Sequence, residues 1–374
     1  MKTGKQIWII SSVIMIAVMA LNACAPASTP TVNPPSSAAE ATKPAEPQQT
    51  APTQAVTTST EKQKLFVYVT HHPLGTDVMM LDAVEGLKQV AAEHNAIAKV
   101  YESEDLTTAE ENVRAAIAEG ADIIVVLFFD MVEMISRIAP EAPNVKFLYI
   151  DQCPAGPPSN VYCAVFKEYQ ASFLIGAEAG LLTKKNQLGA ISAIDIPFLH
   201  RYTDAFKAGA EYVNPKVKLE TLWVGGDNPF NDPARGKEMG LTLAARGADY
   251  IFAAAAESNF GIFEAAQEKK FNTFGVNYNE CPVAPGYVVD NLLKLTSNVV
   301  RFSINKILDG THPPSLEYGI GVEGGIGLVP FDLKDPENSK CSIMDHPDVI
   351  EKVREIRQKI IDGELKIDDP MLAK

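Results

Sequence analysis

Residues 123–150 read IIVVLFFDMVEMISRIAPEAPNVKFLYI and hold two strand-like apolar runs on either side of a short helix. The first run, Ile123–Phe128, is continuous and rich in β-branched residues, and Lys146–Ile150 forms the second. Between them, Val132–Ile138 has the composition of a helix. Unbroken apolar strands that alternate with helices are typical of a parallel sheet covered on both faces. This stretch therefore predicts an α/β fold.

The same alternation is present in the residues before this stretch. Four elements are predicted there: a strand at Leu65–Thr70, a helix around Leu81–Glu93, a strand at Ile97–Tyr101 and a helix over Thr108–Glu119. Thr107 or Thr108 is the expected N-cap of the last helix, and Gly120 is the residue expected to end it. These elements predict a first doubly wound lobe that begins near Lys62.

The alternation begins again after residue 187. Strands and helices are predicted in turn at Leu188–Ile194, Tyr202–Val213, Val217–Trp223, Pro233–Ala245, Tyr250–Ala254, Phe260–Lys269 and Thr273–Val276. The folded part, about 310 residues, is longer than one hydrophobic core usually supports. We therefore expect two doubly wound lobes. In such sheets ligands bind outside the carboxyl ends of the strands, so the strand-end loops of both lobes should face one cleft.

The extreme N-terminus has the composition of an export signal. Two lysines precede the apolar run Ile7–Leu21, which is short for a retained membrane span. The run ends on Leu21-Asn22-Ala23-Cys24, which resembles the lipobox of bacterial lipoproteins. The resemblance implies a signal peptide over residues 1–23, a diacylglyceryl group on Cys24, and a mature chain anchored to a membrane of the bacterial cell envelope, outside the cytoplasm. The alternative is an ordinary exported protein with an incidental cysteine.

A linker is predicted over residues 24–61. From Ala25 to Thr60 the chain is built mainly from Pro, Ala, Ser, Thr, Glu and Gln, has no aromatic residue, and shows neither helical nor strand periodicity. Such a segment cannot bury enough apolar surface to offset the entropy lost on ordering. We expect a disordered spacer between the lipid and the folded lobes.

Composition and charge limit the classes of partner. The chain is 46% hydrophobic, which is sufficient for a substantial core, and its formal net charge is −14. This charge argues against nucleic acid, and against an anionic membrane surface, as a binding partner. It does not discriminate between small-molecule ligands.

Four cysteines remain besides Cys24, and an even number in an exported chain permits two disulfides. Cys153 and Cys163 flank a loop rich in Pro and Gly that could bring them together, which leaves Cys281 for Cys341. Four cysteines allow three pairings, and buried thiols without disulfides are the alternative. The sequence has no Cys-x-x-Cys or Cys/His spacing that indicates a metal, so no metal or other cofactor is expected.

Four ordered blocks of sequence resemble the basic membrane protein family, relatives of the purine nucleoside receptor A. They are FKEYQASFLIGAEAG (Phe166–Gly180), AIDIPFLHRYTDAFKAGAEYVNP (Ala193–Pro215), FNDPARGKEMGLTLAARGADYIF (Phe230–Phe252) and GIFEAAQEKKFNTFGVN (Gly261–Asn277). The similarity runs from about residue 65 to residue 327. It implies a lipid-anchored substrate-binding protein that works with ABC permease subunits and has the two-lobed type I periplasmic-binding fold. Glycines 209, 236 and 261 in these blocks can allow close helix packing.

The expected lobe boundaries follow from this architecture. Residues 62–165 and about 280–312 are assigned to the N-terminal lobe, and residues 166–279 and about 313–374 to the C-terminal lobe.

The resemblance also implies ligand contacts in the first lobe, where the family has an Asp after the first strand and a later Phe that stacks on the purine. Here Thr70 ends the strand, and His71 occupies the position of the Asp. Met79 or Met80 stands near the position of the Phe. Histidine can donate or accept a hydrogen bond, and a methionine sulfur can contact an aromatic ring. The alternative for the two methionines is packing at a helix N-terminus.

In the second lobe, the stacking aromatic residue of the family falls at or near Phe230, and Asp232 follows it. The family motif Gly-Val-Asp-Ser-Asp, whose first Asp holds the ribose hydroxyls, has Asn277 at that Asp. An amide there can still form hydrogen bonds, but the charge-assisted bond to a diol is lost. Lys294 stands at the position of the ligand-side Lys of the family. An exposed helix lysine is the alternative for Lys294.

Two more candidates follow from strand-end position alone. Phe128-Phe129-Asp130 ends the third strand, and one of the two phenylalanines should point to the cleft, which we assign to Phe129, and the other into the core. Asp151 ends the fourth strand. It can line the cleft or brace the loop that carries Cys153.

The favoured function is a receptor that binds a small polar molecule between its lobes and passes it to a permease. A purine nucleoside is the favoured ligand by family, and a sugar-like or other non-nucleoside ligand is the alternative. An exported enzyme and a sensory lipoprotein are the other classes considered. The sequence has no His-x-x-x-His pair, no Gly-x-Ser-x-Gly elbow and no phosphate-binding Gly-rich loop, which argues against the enzyme.

Overall fold

A computed structural model describes residues 62–75 and 77–372. The predicted signal peptide over residues 1–23, the lipidation site Cys24 and the linker over residues 24–61 lie outside these residues. In the described part, no helix has both the length and the apolar composition needed to cross a membrane.

The first sheet has six parallel strands. Along the chain they are β1 (Leu65–Val69), β2 (Ile97–Tyr101), β3 (Ile123–Leu127), β4 (Lys146–Ile150), β5 (Val161–Phe166) and β11 (Ser315–Tyr318). Their order across the sheet is β11-β5-β4-β3-β1-β2. All residues of β1 and β3 are buried, which explains their continuous apolar sequence.

Helices cover both faces of this sheet. They are α1 (Val78–Glu93), α2 (Leu106–Glu119), α3 (Val132–Ile138) and α8 (Thr296–Leu308). Alternate residues of β1 contact different helices: Phe66 and Tyr68 belong to the cluster with α1, whereas Val67 belongs to the cluster with α2 and α3. This period of two places one apolar residue on each face in turn. The sheet and these four helices form lobe one.

The second sheet repeats the arrangement. Its strands are β6 (Gln187–Ser192), β7 (Lys218–Trp223), β8 (Tyr250–Ala254), β9 (Asn272–Asn277), β10 (Val288–Lys294) and β12 (Ile326–Leu328), in the order β12-β10-β9-β8-β6-β7. Only β12 runs antiparallel to its neighbour. The helices packed on it are α4 (Glu168–Leu182), α5 (Pro197–Val213), α6 (Pro233–Ala245), α7 (Asn259–Lys269) and α9 (Val329–Asp332). Helix α10 (Pro347–Ile361) packs on α4. Together they form lobe two, and the predicted fold class of two doubly wound lobes is confirmed.

The sheet pairing differs from the expected lobe boundaries at two segments. Strand β10, which was expected in the first lobe, pairs with β9 in the second sheet. Strand β11, which was expected in the second lobe, pairs with β5 in the first. The sequence of β10, VVDNLLK, carries Asp290 and Asn291 in the middle of an apolar run, and both are fully buried. Because these polar residues interrupt the apolar run, hydrophobicity alone does not identify the strand.

Helix ends show one further difference. The N-cap of α2 is Asp105, whose Oδ1 accepts a hydrogen bond of 2.8 Å from the backbone N–H of Thr108. Neither Thr107 nor Thr108 has the capping position, because the helix begins earlier than predicted. Gly120 ends the helix with φ of 86°, as expected of a glycine in the left-handed region.

Two disulfides are present in the described residues, one in each lobe. Cys153 and Cys163 connect the segment after β4 to β5, with 5.4 Å between their Cα atoms. Cys281 and Cys341 connect the segment after β9 to the residues before α10, with Cα atoms 5.0 Å apart. Both pairings are those that the loop sequence favoured.

Candidate functional site

A cavity of about 500 Å³ lies between the carboxyl ends of the two sheets. Lobe one contributes Met79, Phe128, Phe129, Asp151 and Gln152; lobe two contributes Ile194, Ile196, Phe198, Leu199, Tyr202, Phe230, Ala254, Ala256, Val276, Asn277 and Lys294. Most of these side chains are apolar, and few polar groups converge on the space. This volume and lining are typical of small-molecule sites.

A second cavity of about 400 Å³ shares part of this wall. Met79, Phe128, Ala256, Val276 and Asn277 line both cavities. The second cavity adds polar side chains from both lobes, namely His72, Asp77, Glu257, Tyr278 and Glu280. The cleft therefore has an apolar compartment and a polar compartment that meet at Asn277.

Two phenylalanines from opposite lobes face each other across the apolar compartment. The ring centroids of Phe129 and Phe230 are 6.3 Å apart, with 36° between the ring planes. Phe129 is 63% exposed, which is unusual for so large an apolar side chain. Its ring is available to cover a ligand that enters the cleft, and aromatic rings at this spacing attract one another and other flat rings.

The floor of the compartment carries a buried ion pair between the lobes. The Nζ atom of Lys294 lies 2.5 Å from Oδ1 of Asp151 and 3.4 Å from Oε1 of Glu168. Burial alone would lower the pKa of Lys294, but Asp151, Tyr202 and Glu168 together raise it well above its usual value. Lys294 therefore keeps its charge in the cavity. It ends β10 and is 7% exposed, so it is not an exposed helix lysine.

Four residues of the cavity have left-handed backbone conformations although none is glycine. Phe128, Asp151, Ala256 and Asn277 have φ angles of 76°, 78°, 51° and 69°. Each lies at the carboxyl end of a strand or one or two residues beyond it. Such conformations cost about 1–3 kcal/mol each and cluster at functional sites, where the fold holds them in place. They turn side chains at the strand ends toward the cleft.

The end of β9 beside Asn277 is held by a hydrogen bond to Glu280. The backbone N–H of Val276 donates to Oε2 of Glu280 at 2.9 Å, and the amide of Asn259 donates to the same oxygen at 3.1 Å. Burial raises the pKa of Glu280 to about 8. The buried Glu280 thus fixes the end of β9, where Asn277 meets both compartments.

His71 does not line either cavity, contrary to the sequence prediction. Its Nδ1 lies 2.6 Å from Oδ2 of Asp130, and its ring centroid is 4.6 Å from that of Phe128. Asp130 follows β3, so this pair ties the end of β1 to the end of β3. His71 consequently supports Phe128, which contacts the cavity in its place.

Three other predicted ligand residues have structural partners and lie outside both cavities. Thr70 is buried, and its Oγ1 accepts from the backbone N–H of Ser103 at 2.9 Å. Met80 is fully buried in the core of lobe one. Asp232 is the N-cap of α6, where its Oδ1 accepts from the N–H of Arg235 at 3.0 Å. Of the two candidate methionines, only Met79 reaches the cleft.

The other candidates come together in the cavity: Met79, Phe129, Asp151, Phe230, Asn277 and Lys294. Phe128 also lines it, so both phenylalanines of the pair face the cleft, and neither lies fully in the core. Sequence reasoning missed the apolar wall that follows β6, which includes Ile194, Phe198 and Tyr202. Its position directly after a predicted strand was the available signal.

Comparison with known proteins gives consistent results. A family model described as "ABC transporter substrate-binding protein PnrA-like" matches residues 51–370. The CD4+ T-cell-stimulating antigen of Listeria innocua serovar 6a is 25% identical over 268 residues, which are 68% of this chain and 72% of that protein. The ABC transporter nucleoside-binding protein BmpA of Lactococcus lactis subsp. cremoris is 24% identical over 174 residues, 46% of this chain and 48% of that protein.

The fold is shared with a solved structure. An ABC transporter solute-binding protein from Aeropyrum pernix K1 matches with a TM-score of 0.64 at 22% identity, over 82% of this chain and 94% of that one. The range matched by the family model contains both sheets and every residue that lines the two cavities.

Proposed function

This chain belongs to the family of PnrA-like ABC transporter substrate-binding proteins, and from this premise we propose that it is a lipid-anchored receptor for a purine nucleoside. The observation that carries the proposal is the cavity between the lobes, which is lined both by Phe129 and Phe230, facing each other, and by the Asp151–Lys294 pair. Flat rings stack on aromatic side chains, and the polar floor can bond the edge of a base. A relative named as nucleoside-binding supports this ligand class.

The receptor is proposed to bind its ligand without converting it and to present it to ABC permease subunits. The family to which the chain belongs is one of substrate-binding proteins. Closure of two lobes around a ligand is the usual motion of such folds. No cofactor is required for this function.

Ligand binding can be tested by thermal shift and calorimetry with adenosine, guanosine, adenine, guanine, ribose and galactose. A ligand at about 100 times its dissociation constant stabilises the folded state by roughly 2.7 kcal/mol. We expect a nucleoside to give this stabilisation. Phe230→Ala should weaken its binding by about 1–3 kcal/mol, because base stacking on an aromatic ring contributes that much. Phe331→Ala, a half-buried phenylalanine of α9 outside the cavity, is the matched control and should bind normally.

Asn277→Asp separates nucleosides from the alternatives. If Asn277 lies beside a ribose, a carboxylate at this position should tighten nucleoside binding, since a charged acceptor forms the stronger hydrogen bond to a hydroxyl. If nucleosides bind neither the parent protein nor Asn277→Asp, the nucleoside proposal is wrong. Stabilisation by a sugar would then identify the ligand class.

The membrane anchor is proposed from the sequence Leu21-Asn22-Ala23-Cys24. Cys24→Ser should prevent attachment of the lipid, because serine lacks the thiolate that forms the thioether. We expect a radioactive fatty acid to label the parent protein in cells and to leave the variant unlabelled. Label that persists on Cys24→Ser would contradict the lipidation site.

A further inference from the structure

The two lobes are joined by three chain segments, near residues 166–168, 294–296 and 318–326. Each segment carries or adjoins a charged residue: Glu168 begins α4, Lys294 ends β10, and Glu317 lies in β11. Arg201 of α5 contacts two of these segments, since its Nη1 donates to the carbonyl oxygen of Phe166 at 3.0 Å and its Nη2 lies 3.3 Å from Oε1 of Glu317. We call the three joining segments the hinge region. Its charged residues Glu168, Lys294 and Glu317, together with Arg201, form a connected set of charges.

Glu168 lies at the centre of this set. Its Oε2 is 3.2 Å from Nη1 of Arg201, and its Oε1 is 3.4 Å from Nζ of Lys294. The side chain of Glu168 is completely buried and lines neither cavity of the cleft. One carboxylate thus serves as the counter-ion of two buried cations, both of which belong to lobe two.

Each of these cations also pairs with a carboxylate of lobe one. Lys294 pairs with Asp151, which follows β4, and Arg201 pairs with Glu317 in β11. Each of these pairs has one member in each lobe, so each links the lobes beside the segments that join them. The two contacts of Glu168 lie within lobe two.

Arg201 is further fixed by the C-terminal segment. Its Nε and Nη2 donate to the two oxygens of Asp369 at 3.0 Å and 2.5 Å. A bidentate contact of this kind sets the plane of the guanidinium group. Within lobe two, the described partners of Lys294 are the carboxylate of Glu168 and the side chain of Tyr202 on α5. Glu168 is the partner among these that carries a carboxylate charge.

From this arrangement we infer that Glu168 is a positioning residue for ligand capture, which holds Lys294 at the cavity floor and aims Lys294 and Arg201 at the carboxylates of lobe one. The inference rests on the proposed function only in that a ligand occupies the cavity. Prearranged cations make closure around a ligand less costly, because fewer side chains must be ordered at that moment. Glu168 thereby acts on affinity without touching the ligand.

The electrostatics of the buried groups agree with this role. Burial raises the pKa of Glu168 and Asp151 raises it further, whereas Lys294 and Arg201 lower it. The net result is a pKa of Glu168 above its usual value, with burial as the largest cause. The two cations that contact Glu168 favour its charged form against this effect of burial.

The chain offers a matched pair of variants for the test. Glu168→Gln removes the charge and keeps the shape of the side chain. Glu178→Gln is the control, because Glu178 lies on the same helix, is equally buried, and belongs to the core near Asp290 and not to the hinge. Binding of adenosine and guanosine is measured by calorimetry at pH 7, the ligand-free melting temperature by calorimetry, and lobe opening by small-angle X-ray scattering.

We expect Glu168→Gln to lower the affinity for both nucleosides by about ten-fold, since a smaller fraction of molecules is then competent to close around the ligand. The ligand-bound radius of gyration should stay nearer to the open value, and Glu178→Gln should bind both nucleosides as the parent does. Unchanged affinity and scattering in Glu168→Gln would overturn the inference, as would equal weakening by the two variants.

A second variant keeps the inference testable if Glu168→Gln does not fold. Glu317 is 43% exposed, so Glu317→Gln should fold, and it removes one contact between the lobes. We expect Glu317→Gln to lower the affinity for both nucleosides by one common factor, about two- to five-fold, because it affects only the closure of the lobes. No effect, or an effect on one nucleoside only, would contradict the inference. If no nucleoside binds the parent protein, the proposed function fails. Scattering of ligand-free Glu168→Gln then tests the inference, and a radius of gyration equal to that of the parent would contradict it.

Discussion

Between pH 5 and pH 8 the parent protein is expected to lose unfolding free energy, and Glu178→Gln is expected to make this loss smaller by about 2–3 kcal/mol. Glu178 in α4 and Asp290 in β10 are completely buried beside each other. Oδ1 of Asp290 accepts from the backbone N–H groups of Asn291 and Val329, at 2.6 Å and 3.1 Å. Within the described residues, the other Asp290 oxygen and both Glu178 oxygens are buried without a hydrogen-bond partner. A single proton shared between the carboxyl groups would supply the missing bond.

The sign of the pH dependence follows from the pKa values. Burial raises the pKa of Asp290 from 3.8 to about 7 and raises the pKa of Glu178 well above its usual value. The folded state therefore holds a proton that the unfolded chain releases above about pH 4. The resulting stabilisation is complete below the unfolded pKa and is lost as pH rises through the folded pKa. An amide at position 178 donates to Asp290 without a titrating proton, so the variant should lose less stability than the parent between pH 5 and pH 8.

Denaturant unfolding of both proteins at pH 5, 6, 7 and 8 measures this effect. Other buried groups, such as Glu280, contribute equally to both proteins and cancel in the difference. Glu351→Gln, at an exposed position of α10, is the control and should follow the parent at every pH. Parallel stability curves for the parent and Glu178→Gln would show that the two carboxyl groups share no proton.

Gly209→Ala is expected to destabilise the folded protein by about 3 kcal/mol, at the upper end of the usual cost of overpacking. Helices α4 and α5 approach each other so closely that a Cβ atom on Gly209 would overlap the carbonyl oxygen of Phe173. The facing Gly176 has the same relation to the carbonyl oxygen of Phe206. Alanine favours a helix over glycine by about 0.5–1 kcal/mol, which offsets only part of this cost. The two backbones must separate, and the core between them loses contact.

Ala208→Ser is the control for this variant, because residue 208 is the exposed neighbour on α5. It should change the unfolding free energy by less than about 0.5 kcal/mol. Denaturant unfolding at one pH compares the three proteins. Stability of Gly209→Ala equal to that of the parent would mean that the helices can move apart without loss.

The sequence alone was sufficient to predict most elements of both sheets. Hydrophobic periodicity is local, so strands such as Ile123–Leu127 and helices such as Pro233–Ala245 are visible without knowledge of the fold. The strand-end rule and the family resemblance then selected Phe129, Phe230, Asn277 and Lys294, and left Met79 and Met80 as alternatives. The structure brings the first four and Met79 into one cavity. The glycines of the blocks also predicted close helix packing, which Gly209 shows in the structure.

Pairing between distant segments was decided only by the tertiary structure. The sequence of β10 does not reveal that it pairs with β9, because its buried Asp290 and Asn291 interrupt the apolar run. Thr70 and His71 adjoin the cleft in sequence, yet their hydrogen bonds go to Ser103 and Asp130 in other loops. Such partners are non-local, and no periodicity records them.

The direction of side chains at the strand ends depended on the tertiary structure as well. Alternation along a strand predicts that Phe128 and Phe129 point to opposite sides, but the positive φ of Phe128 turns both toward the cleft. The fold holds this unfavourable conformation through contacts with residues such as His71. Local sequence thus determined where the cleft lies and which residue types surround it. Distant contacts determined which side chains enter it, because only they can hold a backbone that local preferences disfavour.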